Sequence, residues 1–254
     1  MAGLLTVGFG VLAVRGFNAD SVRLPRDVSI AAHALQRVTV VIDPGHGGED
    51  PGTVQNGVTE ASLTYRMAAT LRAVVEQHGG RAVFTMNSSA LAAVNSPNSN
   101  PALLDPVGAE AVTRPGAIAK AGATSTIDLY ARADEGGRVW NAQGPRVVFV
   151  SLHFDASPTP SHRGGMVLVG LRTTAIPPLA TNISEQLTRA KLGGEIKRQQ
   201  LGVLGGVHNP IPNRVLIELG TISNGKDRRA AQYPQWRWRV ARILVAGIAQ
   251  TKLT

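Results

Sequence analysis

No cysteine occurs anywhere in the 254 residues. Disulfides, Cys-ligated zinc, iron–sulfur clusters and thiol catalysis are therefore excluded, and any metal site has to be made from histidine and carboxylates. Aromatic residues are scarce too, at 4% of the chain against 28 glycines and 15 prolines. The interior must then be mostly Ala, Val, Leu and Ile, as in an α/β domain with many tight turns. Acidic residues are the third shortage, since 17 Asp and Glu face 26 Lys and Arg for a formal net charge of +9. Such an excess favours a polyanionic partner without naming it: nucleic acid, anionic lipid and anionic cell-wall polymer all qualify. The basic residues are mostly arginines spread from Arg15 to Arg242. With no basic block, helix-turn-helix pattern or RNA-binding aromatic motif among them, nucleic acid is not the expected partner.

A membrane-spanning run is also missing. Met1 to Val14 (MAGLLTVGFGVLAV) is uncharged and mostly apolar but too short to cross a bilayer as a helix. It suits the apolar region of a secretory signal, although no basic segment precedes it and GFNAD is a poor cleavage site. A buried first strand or helix is the other reading. Residues 1–36 are thus expected to be an apolar segment and linker, a signal remnant, ahead of one domain over residues 37–254. A 43% hydrophobic content can bury one sizeable core plus an insertion.

From Arg37 onward short β-branched runs alternate with longer amphipathic stretches. The expected fold class is α/β: a single domain with a twisted, mostly parallel or mixed sheet and helices on both faces, phosphorylase- or hydrolase-like. Val38 to Asp43 (VTVVID) reads as a buried strand running into the turn Pro44 to Gly48. Thr59 to His78 is a helix, with Thr59 as N-cap, Val58 and Leu63 as a hydrophobic staple and Gly79-Gly80 as its stop. Further strands are expected at Arg81–Met86, Arg146–His153, Gly165–Leu171 and Arg214–Gly220, and further helices at Ile127–Asn141, Leu179–Gln200 and Trp236–Thr251. Residues from about 87 to 126 break the rhythm with SPNSNP and weakly periodic Ala-rich pieces, and read as an insertion, either a disordered excursion or a lid.

Four ionisable residues fall at or near strand ends or at the start of the helix that follows one: His46, Glu60, His153 and Glu218. Ligands in open α/β sheets bind outside the carboxyl ends of the strands, so three of the four can converge there. Each has an ordinary reading as well. His46, between glycines in DPGHGG, can be a surface residue; Glu60 can be a first-turn acid favoured by the helix dipole; His153 can be a satisfied core histidine. Glu218 is harder to explain away, because it interrupts VLIELG where a core strand should be apolar. A buried carboxylate needs a cation, a metal or a proton. Two histidines and a carboxylate with an open fourth position form the donor pattern of catalytic zinc, and a further carboxylate can accept a proton from water. His162 and His208 lie in Pro- and Gly-flanked loops with no adjacent carboxylate pattern, and read as surface residues.

The run VVIDPGHGGEDPG, then Glu60, VSLHFDAS and VLIELGTISNGKD, resembles the zinc-dependent N-acetylmuramoyl-L-alanine amidases of the Amidase_3 type over roughly residues 37–250. That resemblance implies that His46, Glu60 and His153 bind Zn2+ and that Glu218 is the catalytic carboxylate. It makes Arg132, in LYARADEGGRVWN, a structural or substrate-orienting residue, and Asn224 of the ISN motif a structural one. The implied reaction is hydrolysis of the amide between N-acetylmuramic acid and L-alanine in peptidoglycan. A monomer exported to the periplasm or cell envelope goes with it, with no membrane span in the mature chain and an activator left open. Three departures stand out: FTMNS lacks an Arg often found there, Phe154 replaces a small residue, and Thr221 replaces Phe. They are expected to touch the rim and not the ligands. A non-catalytic wall-binding domain and a zinc peptidase or deacetylase remain as alternatives.

Overall fold

The computed structural model describes residues 28–47, 50–86 and 126–253; residues 1–27 and 87–125, which carry the signal reading and nearly all of the expected insertion, lie outside them. Six strands form the main sheet: β1 (Thr39–Pro44), β4 (Arg81–Phe84), β5 (Val147–Asp155), β6 (Gly165–Gly170), β7 (Gly193–Gln199) and β8 (Arg214–Thr221). Their order is β4-β1-β5-β8-β6-β7. All neighbours pair in parallel except β6 and β8, which are antiparallel. A small ribbon, β2 (Val54–Gln55) against β3 (Val58–Thr59), precedes the first helix.

The central strands are apolar throughout because both of their faces are covered. Val40 and Ile42 of β1, Val148, Val150 and Leu152 of β5, and Val215 and Ile217 of β8 pack into the larger core. It is closed by α1 (Glu60–Gln77), α3 (Pro178–Arg189) and α5 (Pro234–Ala249). Val41, Val147, Phe149 and Leu216 point the opposite way into a smaller core with Val139 of α2 (Thr126–Gln143) and the turn Gly202–Leu204. The strict alternation of the two sets is the period-2 pleat.

Helix α1 begins as its sequence requires. Thr59 Oγ1 accepts from the Ser62 N–H at 3.3 Å, and Val58 and Leu63 lie in one core. Gly79 ends it with φ +80°, where the Gly80 N–H returns to the Val75 carbonyl at 3.0 Å. A short helix unforeseen in the sequence, α4 (Gly225–Ala231), is capped by Asn224, whose side chain accepts from the Lys226 and Asp227 N–H groups.

The single helix expected over Leu179–Gln200 is instead α3 followed by strand β7. The chain turns at Lys191, Gly193 and Gly194, all at positive φ (59°, 98° and 121°). A Cβ on Gly193 would lie 2.1 Å from the Gly165 carbonyl oxygen, so the two glycines let the backbone close onto β6 in a way a helix cannot. Glu195, Lys197 and Arg198 then decorate an edge strand, where charge discourages pairing with other chains.

Phe149 is fully buried and sits so close to α2 that a Cβ on Gly136 would meet its ring at 3.0 Å. Replacing Phe149 with Ala should lower unfolding free energy by about 3–5 kcal/mol, measured by urea denaturation; a loss under about 1 kcal/mol would mean that this core layer is not tightly packed.

Candidate metal centre

The site lies at the carboxyl ends of β1, β5 and β8. Asp43, buried at the end of β1, accepts from Thr85 Oγ1 at 2.5 Å and Ser151 Oγ at 2.6 Å and pairs with Arg132 at 3.2 Å. Burial works against its charge, but the Arg132 guanidinium and the two hydroxyls outweigh it and hold its carboxyl below the usual range. Beyond it the chain turns sharply, and His46 itself takes φ +64°.

Two glycines leave room for the imidazoles. A Cβ on Gly45 would come within 2.3 Å of the His153 ring, and one on Gly52 within 2.6 Å of the His46 ring. Glu60, at the first turn of α1, is buried and placed where the helix dipole favours its anion. Its Oε1 lies 3.1 Å from His46 Nε2 and 3.0 Å from His153 Nδ1 and accepts from the Phe154 N–H at 3.0 Å. Its Oε2 accepts from the Thr53 N–H at 3.2 Å. Asp50 Oδ2 holds the far side of the His46 ring, 2.7 Å from Nδ1.

His46, Glu60 and His153 therefore converge, with one ligand atom from each all within 4.8 Å of one another. Lone pairs of imidazole nitrogens and a carboxylate oxygen repel when they face each other, so this arrangement needs positive charge in its middle. An ion can supply it, and so can a proton on His46. Burial alone would discharge His46, but its hydrogen bonds and charge interactions with Glu60 and Asp50 raise its pKa to about 9. Burial likewise opposes ionisation of Glu60, and the two histidines overcome it to hold that carboxyl far below the usual range. The donor set fits zinc, which takes His nitrogen and carboxylate oxygen and keeps an open position in catalytic sites.

Glu218 on β8 lies in register with His153 on β5. Its Oε2 is buried without a hydrogen-bond partner among the described residues. Burial first, then the charges of Glu60 and Asp155, push its pKa up to about 8, against a smaller opposing pull from His46. The structure thus brings the four expected residues to one strand edge, three as a donor cluster and the fourth beside it. Arg132 lies behind the cluster instead of in the cleft: it is 3% exposed and donates to the carbonyls of Pro44 at 2.7 Å and His46 at 2.6 Å.

Two expectations need correction. Phe154 and Thr221 are not rim residues but buried ones; the Phe154 ring packs near Trp236 and its N–H binds the ligand candidate Glu60. Strand parity turns both side chains away from the cleft. His162 and His208 are partly exposed, as expected, yet each has a carboxylate beside it, Asp155 at 3.7 Å and Asp134 at 2.8 Å. Sequence reasoning also passed over Asp43 and Asp50. Asp43 interrupts an apolar strand just as Glu218 does, and that signal could have found it; Asp50 carries none outside the fold.

Fold and site together define an α/β domain with a two-histidine, one-carboxylate donor set at the carboxyl edge of its sheet. The chain belongs to the N-acetylmuramoyl-L-alanine amidase family, Amidase_3, whose model matches residues 40–250. It is 50% identical over 38 residues to the sporulation-specific N-acetylmuramoyl-L-alanine amidase of Bacillus subtilis, a match covering 15% of either protein. The germination-specific N-acetylmuramoyl-L-alanine amidase of the same organism is 22% identical over 209 residues, 82% of this chain and 77% of that one. Among solved structures, the CwlD amidase of Clostridioides difficile, determined in complex with the GerS lipoprotein, superposes with a TM-score of 0.60 at 22% identity, covering 83% of this chain and 96% of that chain.

The raised pKa of Glu218 has a measurable consequence. The folded chain binds this proton more tightly than the unfolded chain, so the stabilisation is complete below the ordinary carboxylate value of 4.5 and is lost as pH rises to about 8. In metal-free protein, Glu218→Gln should melt with the wild type near pH 4.5 and progressively above it toward pH 8; an equal melting temperature across that range would show that Glu218 is not held protonated.

Proposed function

We propose that the chain is a zinc-dependent peptidoglycan hydrolase that cleaves the amide between the lactyl group of N-acetylmuramic acid and the L-alanine of the stem peptide. The observation that supports it most is the convergence of His46, Glu60 and His153 on one point, with Glu218, whose Oε2 has no hydrogen-bond partner among the described residues, paired with His153 on the neighbouring strand. Zinc held by those three residues would activate water and polarise the amide carbonyl.

The chain's own groups do the rest. Glu218, ionised, takes a proton from the attacking water and returns it to the alanine nitrogen as the carbon–nitrogen bond breaks and the carbon–oxygen bond forms. Its Oε2, with no hydrogen-bond partner among the described residues, is available for both transfers. Asp50 and Glu60 keep the two imidazoles in place.

The net charge of +9 suits attraction to anionic wall polymers, and the substrate places the protein's work outside the cytoplasm, in the cell envelope or periplasm. No helix among the described residues is long and apolar enough to cross a membrane. We take the working form to be a monomer.

Purified protein loaded with one equivalent of zinc and incubated with peptidoglycan should release intact stem peptides beginning with L-alanine, identified by mass. Glu218→Gln should reduce that release by at least about 10²–10⁴-fold while zinc content stays at one per chain. Release of acetate instead would make the protein a deacetylase, and binding without release a wall-binding domain; full activity in the variant would remove Glu218 from the chemistry.

A further inference from the structure

His46 is the one member of the donor cluster with a left-handed backbone, at φ +64°. That conformation is strained for a residue with a side chain. Glycine would adopt it freely but brings no imidazole. Strain of this kind persists only where the surroundings over-determine it, and here they do so from two directions.

The backbone is fixed first. Three successive carbonyls of the turn accept from buried side chains: Pro44 from Arg132 Nη1 at 2.7 Å, Gly45 from Thr64 Oγ1 at 2.7 Å and His46 from Arg132 Nη2 at 2.6 Å. Arg132 reaches the turn from α2 and is anchored by Asp43 at 3.2 Å, which is itself held by Thr85 and Ser151. A planar fork can serve a carboxylate and two carbonyls at once; a lysine ammonium on a flexible stem cannot hold that geometry.

The ring is fixed second. Asp50 Oδ2 lies 2.7 Å from His46 Nδ1, and Asp50 Oδ1 accepts from the Gly52 N–H at 2.9 Å. An ionised carboxylate only accepts hydrogen bonds, so Nδ1 is the ring's donor to Asp50, and Nε2, turned to Glu60 Oε1 at 3.1 Å, is the nitrogen left facing the cluster.

We propose that Arg132 and Asp50 are positioning residues that clamp His46 as a metal ligand, Arg132 through its backbone and Asp50 through its ring, and that Arg132 does not bind substrate. The inference rests on reading His46 as a ligand. The carboxylate–histidine half of this arrangement is the outer-shell device that orients imidazoles in metal sites generally. The guanidinium half adds what a left-handed residue needs and a helix or strand residue does not. His153 lies within strand β5 and pairs with Glu218 of β8 just before the ladder shifts register, so the sheet itself fixes its backbone.

The test is zinc affinity of the full chain, read by competition with a chromophoric chelator, together with the metal-free melting temperature and the ¹⁵N shifts of the His46 ring. Asp50→Asn and Arg132→Lys should each weaken zinc binding by about 10–100-fold. For Asp50→Asn the metal-free chain should still unfold in one cooperative transition, while the ring ¹⁵N shifts report loss of the Nδ1–H hydrogen bond to Oδ2, a change that a merely structural role would not tie to weaker zinc binding. Should Arg132→Lys fail to fold, Arg132→Gln replaces it with the same expectation. Asp134→Asn, which breaks the surface contact to His208, should leave zinc affinity unchanged. A wild-type chain that binds no zinc overturns the metal-site reading and the clamp with it. A wild type that binds zinc while Asp50→Asn and the arginine variant bind it equally tightly overturns the clamp alone.

Discussion

Glu60 Oε1 faces two imidazole nitrogens at 3.0–3.1 Å and a backbone N–H at 3.0 Å. A buried carboxylate of this kind is tolerable only if positive charge is brought to it, and both histidines have to be held within reach for that to happen. Most of the local architecture follows from the requirement. Gly45 and Gly52 are the positions where side chains would collide with the rings, the start of α1 favours the anion, and the Asp43–Arg132 pair sits directly beneath the turn that carries His46. The same charge reaches Glu218, whose proton is retained partly because Glu60 is ionised nearby. One carboxylate thus couples ion binding to the protonation of its neighbour: a cation that neutralises Glu60 also relieves part of the push on Glu218.

The sheet supplies the rigidity. β1, β5 and β8 are neighbours, buried on both faces, and they end together at the site. His153 and Glu218 are fixed to adjacent register positions by ladders that cannot slip without turning every core residue outward. The polar residues at the carboxyl edge, Asp43, Ser151, His153 and Glu218, share the parity of the smaller core's face. The site is that face continued past the point where apolar packing stops, with α2 lying over it and lending Arg132.

Much of this was legible in the amino-acid sequence, and the reason differs from residue to residue. Runs such as VTVVID and RVVFVSLH had to be doubly covered strands, and the charged residues that broke them or ended them, His153 and Glu218, had to be accounted for by chemistry. The Thr59 cap and the Gly79 stop bounded α1 closely because capping is local physics. Leu179–Gln200 misled because its apolar spacing continues at helical period past Gly193-Gly194; only the contact of those glycines with β6 decides that the chain reverses there. Phe154 and Thr221 misled for a different reason. Strand parity sends them to the larger core, but motif comparison alone suggested a substrate rim. Arg132 was visible as a residue of interest, yet its target is a set of backbone carbonyls, which no side-chain pattern announces. Asp50 depends on the turn that brings it back to His46.

All of this converges on a single claim, that His46, Glu60 and His153 close around one ion. X-ray absorption at the zinc edge, on protein dialysed against one equivalent of metal, measures it directly. The account predicts one tightly held zinc with two imidazole nitrogens at about 2.0–2.1 Å, a carboxylate oxygen at about 2.0–2.2 Å and one further light ligand, and loss of the imidazole signal when His46 and His153 are both replaced. A zinc shell with no imidazole contribution in the wild-type protein, or one unchanged by that double replacement, would contradict it.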